Sequence, residues 1–176
     1  RNVVCVGGEP AAITDCLNFG NPEVPRAMWE FAEAVRGVGE ACCGLGRLSN
    51  PDEPLPVISG NVSFYNQSAS GRSVAPSPIV ACVGIVDDYR RCRSQHLEDA
   101  GDRLFLVGRP CPEMAGSLYV DAGHQAGRPA VPGIDFAAIR AELAAVLSLS
   151  RAGIVNEDDL RAVRGGEIGT IFQDPM

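Results

Sequence analysis

Val57-Ile58-Ser59-Gly60-Asn61-Val62-Ser63-Phe64-Tyr65-Asn66 is the stretch on which the reading of this chain turns. It opens on a short β-rich run, residues 57–59. A glycine follows, where the backbone can take φ > 0 or come close to a ligand. Then come Asn61, Ser63, Tyr65 and Asn66, each carrying both donors and acceptors. On a strand, Asn61, Ser63 and Tyr65 share one face, because side chains alternate with a period of two. Val62 and Phe64 then point the other way, into a core. Two readings stay open on this pattern: a buried strand presenting a polar row to a ligand, or a polar-out edge strand running into the Ser-rich loop 67–71.

A chain of 176 residues can hold one ordinary core or two small ones. A hydrophobic fraction of 45% places it among globular proteins. The net charge is −7 and the pI about 4.8. All fifteen basic residues are arginine; there is no lysine. An acidic chain with scattered arginines is a poor match for a nucleic-acid backbone or an anionic membrane, so neither is expected as a partner. The missing lysine excludes a P-loop, which needs Gly-Lys-Ser/Thr. Seven cysteines stand at 5, 16, 42, 43, 82, 92 and 111 without a C-x-x-C pair, as buried free thiols of a reducing cytosol would. His96 and His124 have no partner at zinc-ligand spacing. The longest apolar run, residues 79–86, falls far short of the ~20 residues of a membrane span. No signal peptide is expected, and Arg1 is not an initiator methionine. The expectation is a chain that begins inside a longer one or has been trimmed.

Residues 2–6 are apolar and β-branched, and Gly7-Gly8-Glu9-Pro10 turns them, which predicts a first strand. Residues 11–17 form a second strand candidate. Asp15 lies within it beside Ile13, Cys16 and Leu17, where a carboxylate must be paired, hydrogen-bonded or aimed at a ligand. The alternative is a strand-end residue that caps the loop at 18–22. Residues 25–45 are the clearest helix: Met28, Phe31, Ala32, Val35, Val38, Cys42 and Leu45 recur at three and four, a core stripe. Residues 79–86 are apolar throughout, as in a strand buried on both faces. Asp87-Asp88-Tyr89-Arg90-Arg91 reads as a solvated turn, 95–102 as a polar connector, 104–107 as a strand and 122–133 as loop. Residues 134–150 form a second amphipathic helix with Phe136, Ile139, Leu143, Val146 and Leu147 on its stripe.

Four blocks, in order, resemble phosphoribosylformylglycinamidine synthase, the ATP-dependent amidotransferase of purine biosynthesis, in the second half of its synthetase subunit. They are Arg1 to Pro10 (RNVVCVGGEP), Ile13 to Pro22 (ITDCLNFGNP), Ser59 to Asn66 (SGNVSFYN) and Arg151 to Val155 (RAGIV). Met28-Trp29 in the first long helix also fits. The resemblance covers residues 1–155. It implies an α/β (α+β) fold shared with aminoimidazole ribonucleotide synthetase: an N-terminal domain, residues 1–95, whose mixed sheet builds a barrel-like interface, then the start of a second α/β domain, residues 96–155.

Carried over position by position, the resemblance implies that Asp15 and Gly60 contact ATP, that Asn61 is a magnesium ligand and that Ser63 contacts formylglycinamide ribonucleotide, all converging on one cleft. No catalytic residue is carried over. An amide oxygen is a hard donor suited to Mg²⁺. The implied reaction phosphorylates the substrate's amide oxygen with ATP. Ammonia, drawn from glutamine by a separate glutaminase, then displaces phosphate to give the amidine. Catalysis of this kind is mostly positioning and charge neutralisation. The implied partners are the glutaminase and small accessory subunits, together with the first half of the synthetase or a homodimer mate. The implied location is cytoplasmic.

The sequence departs from the family in two places. The first half of the synthetase, with its catalytic histidine, ATP-contacting lysine and magnesium carboxylates, has no counterpart here, which implies an incomplete enzyme. After Val155 the chain leaves the pattern: residues 156–176 resemble the Q-loop region of an oligopeptide-type ABC-transporter ATPase, with Gln173 as the Q-loop glutamine. That tail makes a transporter ATP-binding subunit the alternative, against which the absence of a P-loop weighs. A non-catalytic dimerisation or docking domain is the third reading.

Overall fold

The computed structural model describes residues 1–92, 94, 107–108, 113–124 and 130–152. The chain divides into two compact units, Arg1–Cys92 and Arg93–Met176. The sequence expectations for residues 95–102, 104–106 and 156–176 lie outside the described residues.

The first unit is built on a three-stranded mixed sheet in the order β2-β1-β3. The central strand, β1 (Glu9–Asn18), pairs in parallel with β2 (Val57–Ser63) and antiparallel with β3 (Ser77–Ile85). A parallel neighbour needs a crossover, and α2 (Pro25–Leu45) supplies it. Pro25 opens that helix at its first turn, where a missing N–H costs nothing. Gly46, at φ 59°, ends it, and its N–H donates to the Cys42 carbonyl. The returning chain is tied back to the helix, since the Leu55 N–H also donates to Cys42 O at 3.1 Å.

Ile13 of β1, Cys42 of α2 and Leu55 of the return loop are buried together, with Val38 packed against them. At the other end of the helix Phe31 meets Phe19 and Phe64 edge-on, at centroid distances of 5.4 and 5.0 Å. This α2-covered face is the core of the first unit.

Four local expectations are corrected by tertiary packing. Residues 2–6 do not form a strand: Asn2–Cys5 is a short helix, α1, that buries Val4 completely. It closes through Gly7 and Gly8 N–H bonds to the Val4 and Val3 carbonyls, so the β-branched run is spent on a turn that packs on the sheet. The stripe of α2 is core only in part, because Met28 and Val35 are each 44% exposed. β3 is not buried on both faces. It is an edge strand whose Ile79, Val83 and Ile85 are 60%, 51% and 58% exposed. Alternation puts these three on the side away from α2. Finally, the polar row of β2 stops at Ser63. Tyr65 sits at φ 58° and turns the chain out of the strand, so it does not share the face of Asn61.

At the end of β3, Asp88 caps a single 3-10 turn, Tyr89–Arg91, through the Arg90 N–H. In the second unit the described elements are a short helix, α3 (Leu118–Asp121), and a longer one, α4 (Phe136–Ala152). Leu143 and Leu147, two of the stripe residues expected from the sequence, are buried on α4.

Candidate functional site

β1 and β2 bring the sequence-derived site residues onto adjacent strands. Asp15 pairs with Gly60, Cys16 with Asn61 and Asn18 with Ser63. The Asp15 carboxylate lies directly over Gly60: a methyl added to the glycine would stand 2.9 Å from its Cγ. Only glycine leaves room for the carboxylate to lie there. Asp15 is two residues after the core residue Ile13 and shares its side of the sheet. It is half-buried there.

One residue further along β2 the direction reverses. Asn61 and Ser63 face the other side, the one shared with Ile79 and Val83. The four residues therefore do not converge on one cleft, as the resemblance implied: alternation splits them into two pairs on opposite faces, Asp15 with Gly60 and Asn61 with Ser63. What they have in common is β2, whose outer edge no described strand covers. An edge strand keeps unpaired backbone N–H and C=O groups and leaves both of its faces within reach.

The residue that sequence reasoning left without a role is Asn66. Its amide nitrogen is 2.8 Å from Ser63 O, 3.1 Å from Ser63 Oγ and 3.1 Å from Phe19 O. Its amide oxygen is 3.2 Å from Ser63 Oγ, which can donate to it. The backbone around it is stitched as closely. Phe19 N–H donates to Ser63 O, Asn66 N–H to Phe19 O and Tyr65 N–H to Gly20 O. An open depression of about 510 Å³ abuts this corner, with Tyr65, Asn66 and Arg72 in its wall. An asparagine three residues beyond a strand-end serine was the only available signal, and it does not separate such a clamp from an ordinary turn.

The donor chemistry fits magnesium as a partial site. Asn61 is exposed and offers one neutral amide oxygen, a hard ligand of the right kind. Among the described residues no group of three or more His, Cys, Asp or Glu could hold a metal ion. No helix among the described residues is long and apolar enough to cross a membrane.

Residues 1–86 match the family described as AIR synthase related protein, N-terminal domain. Over 158 residues the chain is 48% identical to phosphoribosylformylglycinamidine synthase subunit PurL of Anaeromyxobacter sp. (strain K), covering 89% of this chain and 19% of that one. The subunit of Methanothrix thermoacetophila is 51% identical over 119 residues, 68% of this chain and 15% of the relative. The chain thus spans about a fifth of the length of the curated relatives it matches. Among solved structures, Thermotoga maritima phosphoribosylformylglycinamidine synthase II superposes with a TM-score of 0.53 at 23% identity, over 87% of this chain and 20% of that one. The T. maritima PurL complexed with ADP gives 0.54 at 23%, with the same coverage. This likeness shows the shared α/β fold. Residues 1–86 thus match the AIR synthase related N-terminal domain, and the chain is similar over most of its length to one segment of phosphoribosylformylglycinamidine synthase subunit PurL.

Proposed function

We propose that this chain supplies part of the nucleotide and substrate site of a phosphoribosylformylglycinamidine synthase, the ATP-dependent ligase that converts formylglycinamide ribonucleotide to its amidine with glutamine-derived ammonia. The observation that carries this reading is the pairing of Asp15 with Gly60, inside a segment 48% identical to the PurL subunit. The solved T. maritima relatives complexed with ADP and with AMPPCP support a nucleotide as the ligand.

In this reading ATP lies along the free edge of β2. Gly60 admits it to the backbone, beside the Asp15 carboxylate that fills the space a side chain at position 60 would need. Asn61 would hold Mg²⁺ by its amide oxygen, and the ion would neutralise phosphate charge as the phosphoryl group moves. Ser63, on the same face as Asn61, donates or accepts a hydrogen bond at the formylglycinamide ribonucleotide. The remaining groups come from polypeptide outside this chain, so the chain by itself is an incomplete enzyme. A cytoplasmic location, a glutaminase and small accessory subunits belong to the same proposal, as do the domain limits 1–95 and 96–155.

A docking role accompanies the catalytic one, and a specific observation favours it. The face that presents Asn61 and Ser63 also presents the exposed Ile79, Val83 and Ile85. Apolar surface of this kind marks an interaction site. Covering it with the other part of the synthetase, or with a homodimer mate, would bury those side chains and complete the ligand site in one step.

The test is to exchange residues 1–152 into the full-length Anaeromyxobacter relative and measure ATP-dependent amidine formation with ammonia. Asp15→Ala is expected to raise the KM for ATP by about tenfold, the loss of one charge-assisted contact. Asn61→Ala is expected to shift the Mg²⁺ dependence to higher concentration. Unchanged ATP and Mg²⁺ dependence in both variants refutes the nucleotide assignment. Size-exclusion chromatography of the chain with and without the rest of the synthetase tests docking, and no shift refutes it.

A further inference from the structure

The geometry points to Asn66 as the positioning residue for Ser63, setting where the Ser63 hydroxyl stands toward the amide substrate. This inference rests on the proposed assignment of Ser63 as a substrate contact and goes one step beyond it.

Ser63 is the last residue of the edge strand β2, and strand pairing ends with it. A serine hydroxyl in such a place turns among staggered rotamers. Here it does not turn freely, because both ends of one amide reach it: Nδ2 at 3.1 Å and Oδ1 at 3.2 Å. The same amide nitrogen reaches Ser63 O at 2.8 Å and Phe19 O at 3.1 Å, so the backbone that carries the hydroxyl is held along with it. Asn66 is fixed in turn. Its N–H donates to Phe19 O and its carbonyl accepts from Val74 N–H at 3.0 Å. Phe19 is 1% exposed and packs on Phe31, which anchors this corner to the core. Contacts that lock a binding group in its productive rotamer raise affinity by removing the cost of ordering it when the ligand arrives.

An amide is the side chain this task needs. It can donate to two backbone carbonyls while its oxygen accepts from a hydroxyl. A carboxylate keeps the acceptor but places negative charge against Phe19 O and Ser63 O.

The experiment is a double-mutant cycle in the full-length synthetase carrying this segment, with Ser63→Ala, Asn66→Ala and both together. Asn66→Asp and the thermal midpoint of each variant serve as controls. KM is read separately for formylglycinamide ribonucleotide and for ATP. The expected result is that each single variant raises the KM for the ribonucleotide about fivefold, that the double variant is no worse than either, and that the KM for ATP stays constant. Asn66→Asp is expected to fall with Asn66→Ala. If Ser63→Ala raises the KM while Asn66→Ala leaves it unchanged, the positioning role is overturned and the Ser63 assignment survives. If the effects of the two single variants multiply in the double variant, Asn66 acts independently of Ser63 and the inference fails. If Asn66→Ala raises both KM values in step with a lowered thermal midpoint, its role is only structural and the inference fails. If Ser63→Ala changes nothing, the substrate assignment itself falls.

Discussion

The carboxylate of Asp15 occupies the space that a side chain at position 60 would need, with its Cγ 2.9 Å from where a β-carbon would be. Gly60 is therefore set by its neighbour across the strands and not by any turn. Gly60→Ala should cost about 1–3 kcal/mol, as overpacking does. In an Asp15→Ala background the same substitution should cost clearly less, because the colliding group is gone. Urea denaturation of the four proteins measures the coupling directly. An equal cost in both backgrounds would mean that the two residues do not compete for one space.

Phe31 joins the helix to the residues that follow β1 and β2. Its ring stands edge-on to Phe19 at 82° and to Phe64 at 70°. Phe31→Ala should destabilise the chain by about 3 kcal/mol, from lost burial and two lost edge-to-face contacts. Phe31→Leu should cost about 1 kcal/mol, since most of the volume stays. Chemical denaturation checks both. A Phe31→Ala cost below that of Phe31→Leu would contradict the packing.

Cys42 and Cys43 are sequence neighbours with different environments: one buried, the other exposed. Burial pushes the Cys42 thiol above its ordinary value, with smaller contributions in the same direction from Cys43 and Cys82. A raised thiol pKa means less thiolate at a given pH, and thiolate is the reactive form. With iodoacetamide at pH 8, Cys43 should be alkylated well before Cys42, and the Cys42 rate should climb only above its ordinary pKa or on unfolding. Peptide mass spectrometry over time reads the order. Equal rates at both positions would place Cys42 at the surface.

Arg90 holds both oxygens of Asp88, at 2.8 and 3.0 Å. Hydrogen bonds from its side chain, then from its backbone, lower the Asp88 carboxyl below the ordinary aspartate range, helped by the nearby Arg91. A folded-state pKa below the unfolded one adds stability at pH above the unfolded value. That contribution is lost as pH falls through the folded one. The NMR titration midpoint of Asp88 should lie below that of an unstructured aspartate, and Arg90→Ala should move it back up. Added salt should weaken the effect, because the pair is exposed. A midpoint unmoved by Arg90→Ala would rule out the pair in solution.

How much of this was legible in advance follows from range. The long helix could be read to the residue, Pro25–Leu45, because its periodicity and its proline and glycine boundaries are local. The strands at β1 and β2 were visible for the same reason. The four blocks of characteristic residues pointed to the family, since their order and spacing survive without coordinates. Burial was another matter. The apolar run of β3 looked like an interior strand, yet it lies at a sheet edge with Ile79, Val83 and Ile85 exposed. An apolar run marks a strand suited to burial and does not say whether the strand's neighbours supply it.

Chemical identity along the chain, then, determined the crossover helix, the strand on either side of it and the segment of the synthase that this polypeptide resembles. Tertiary structure alone decided that Asp15 meets Gly60, that Asn61 and Ser63 turn to the opposite face, and that Asn66 closes on Ser63 and Phe19. The reason is physical. Propensity and periodicity act over a few bonds, whereas which strand lies beside which, and in what register, is set by packing and hydrogen bonds between residues some forty-five positions apart.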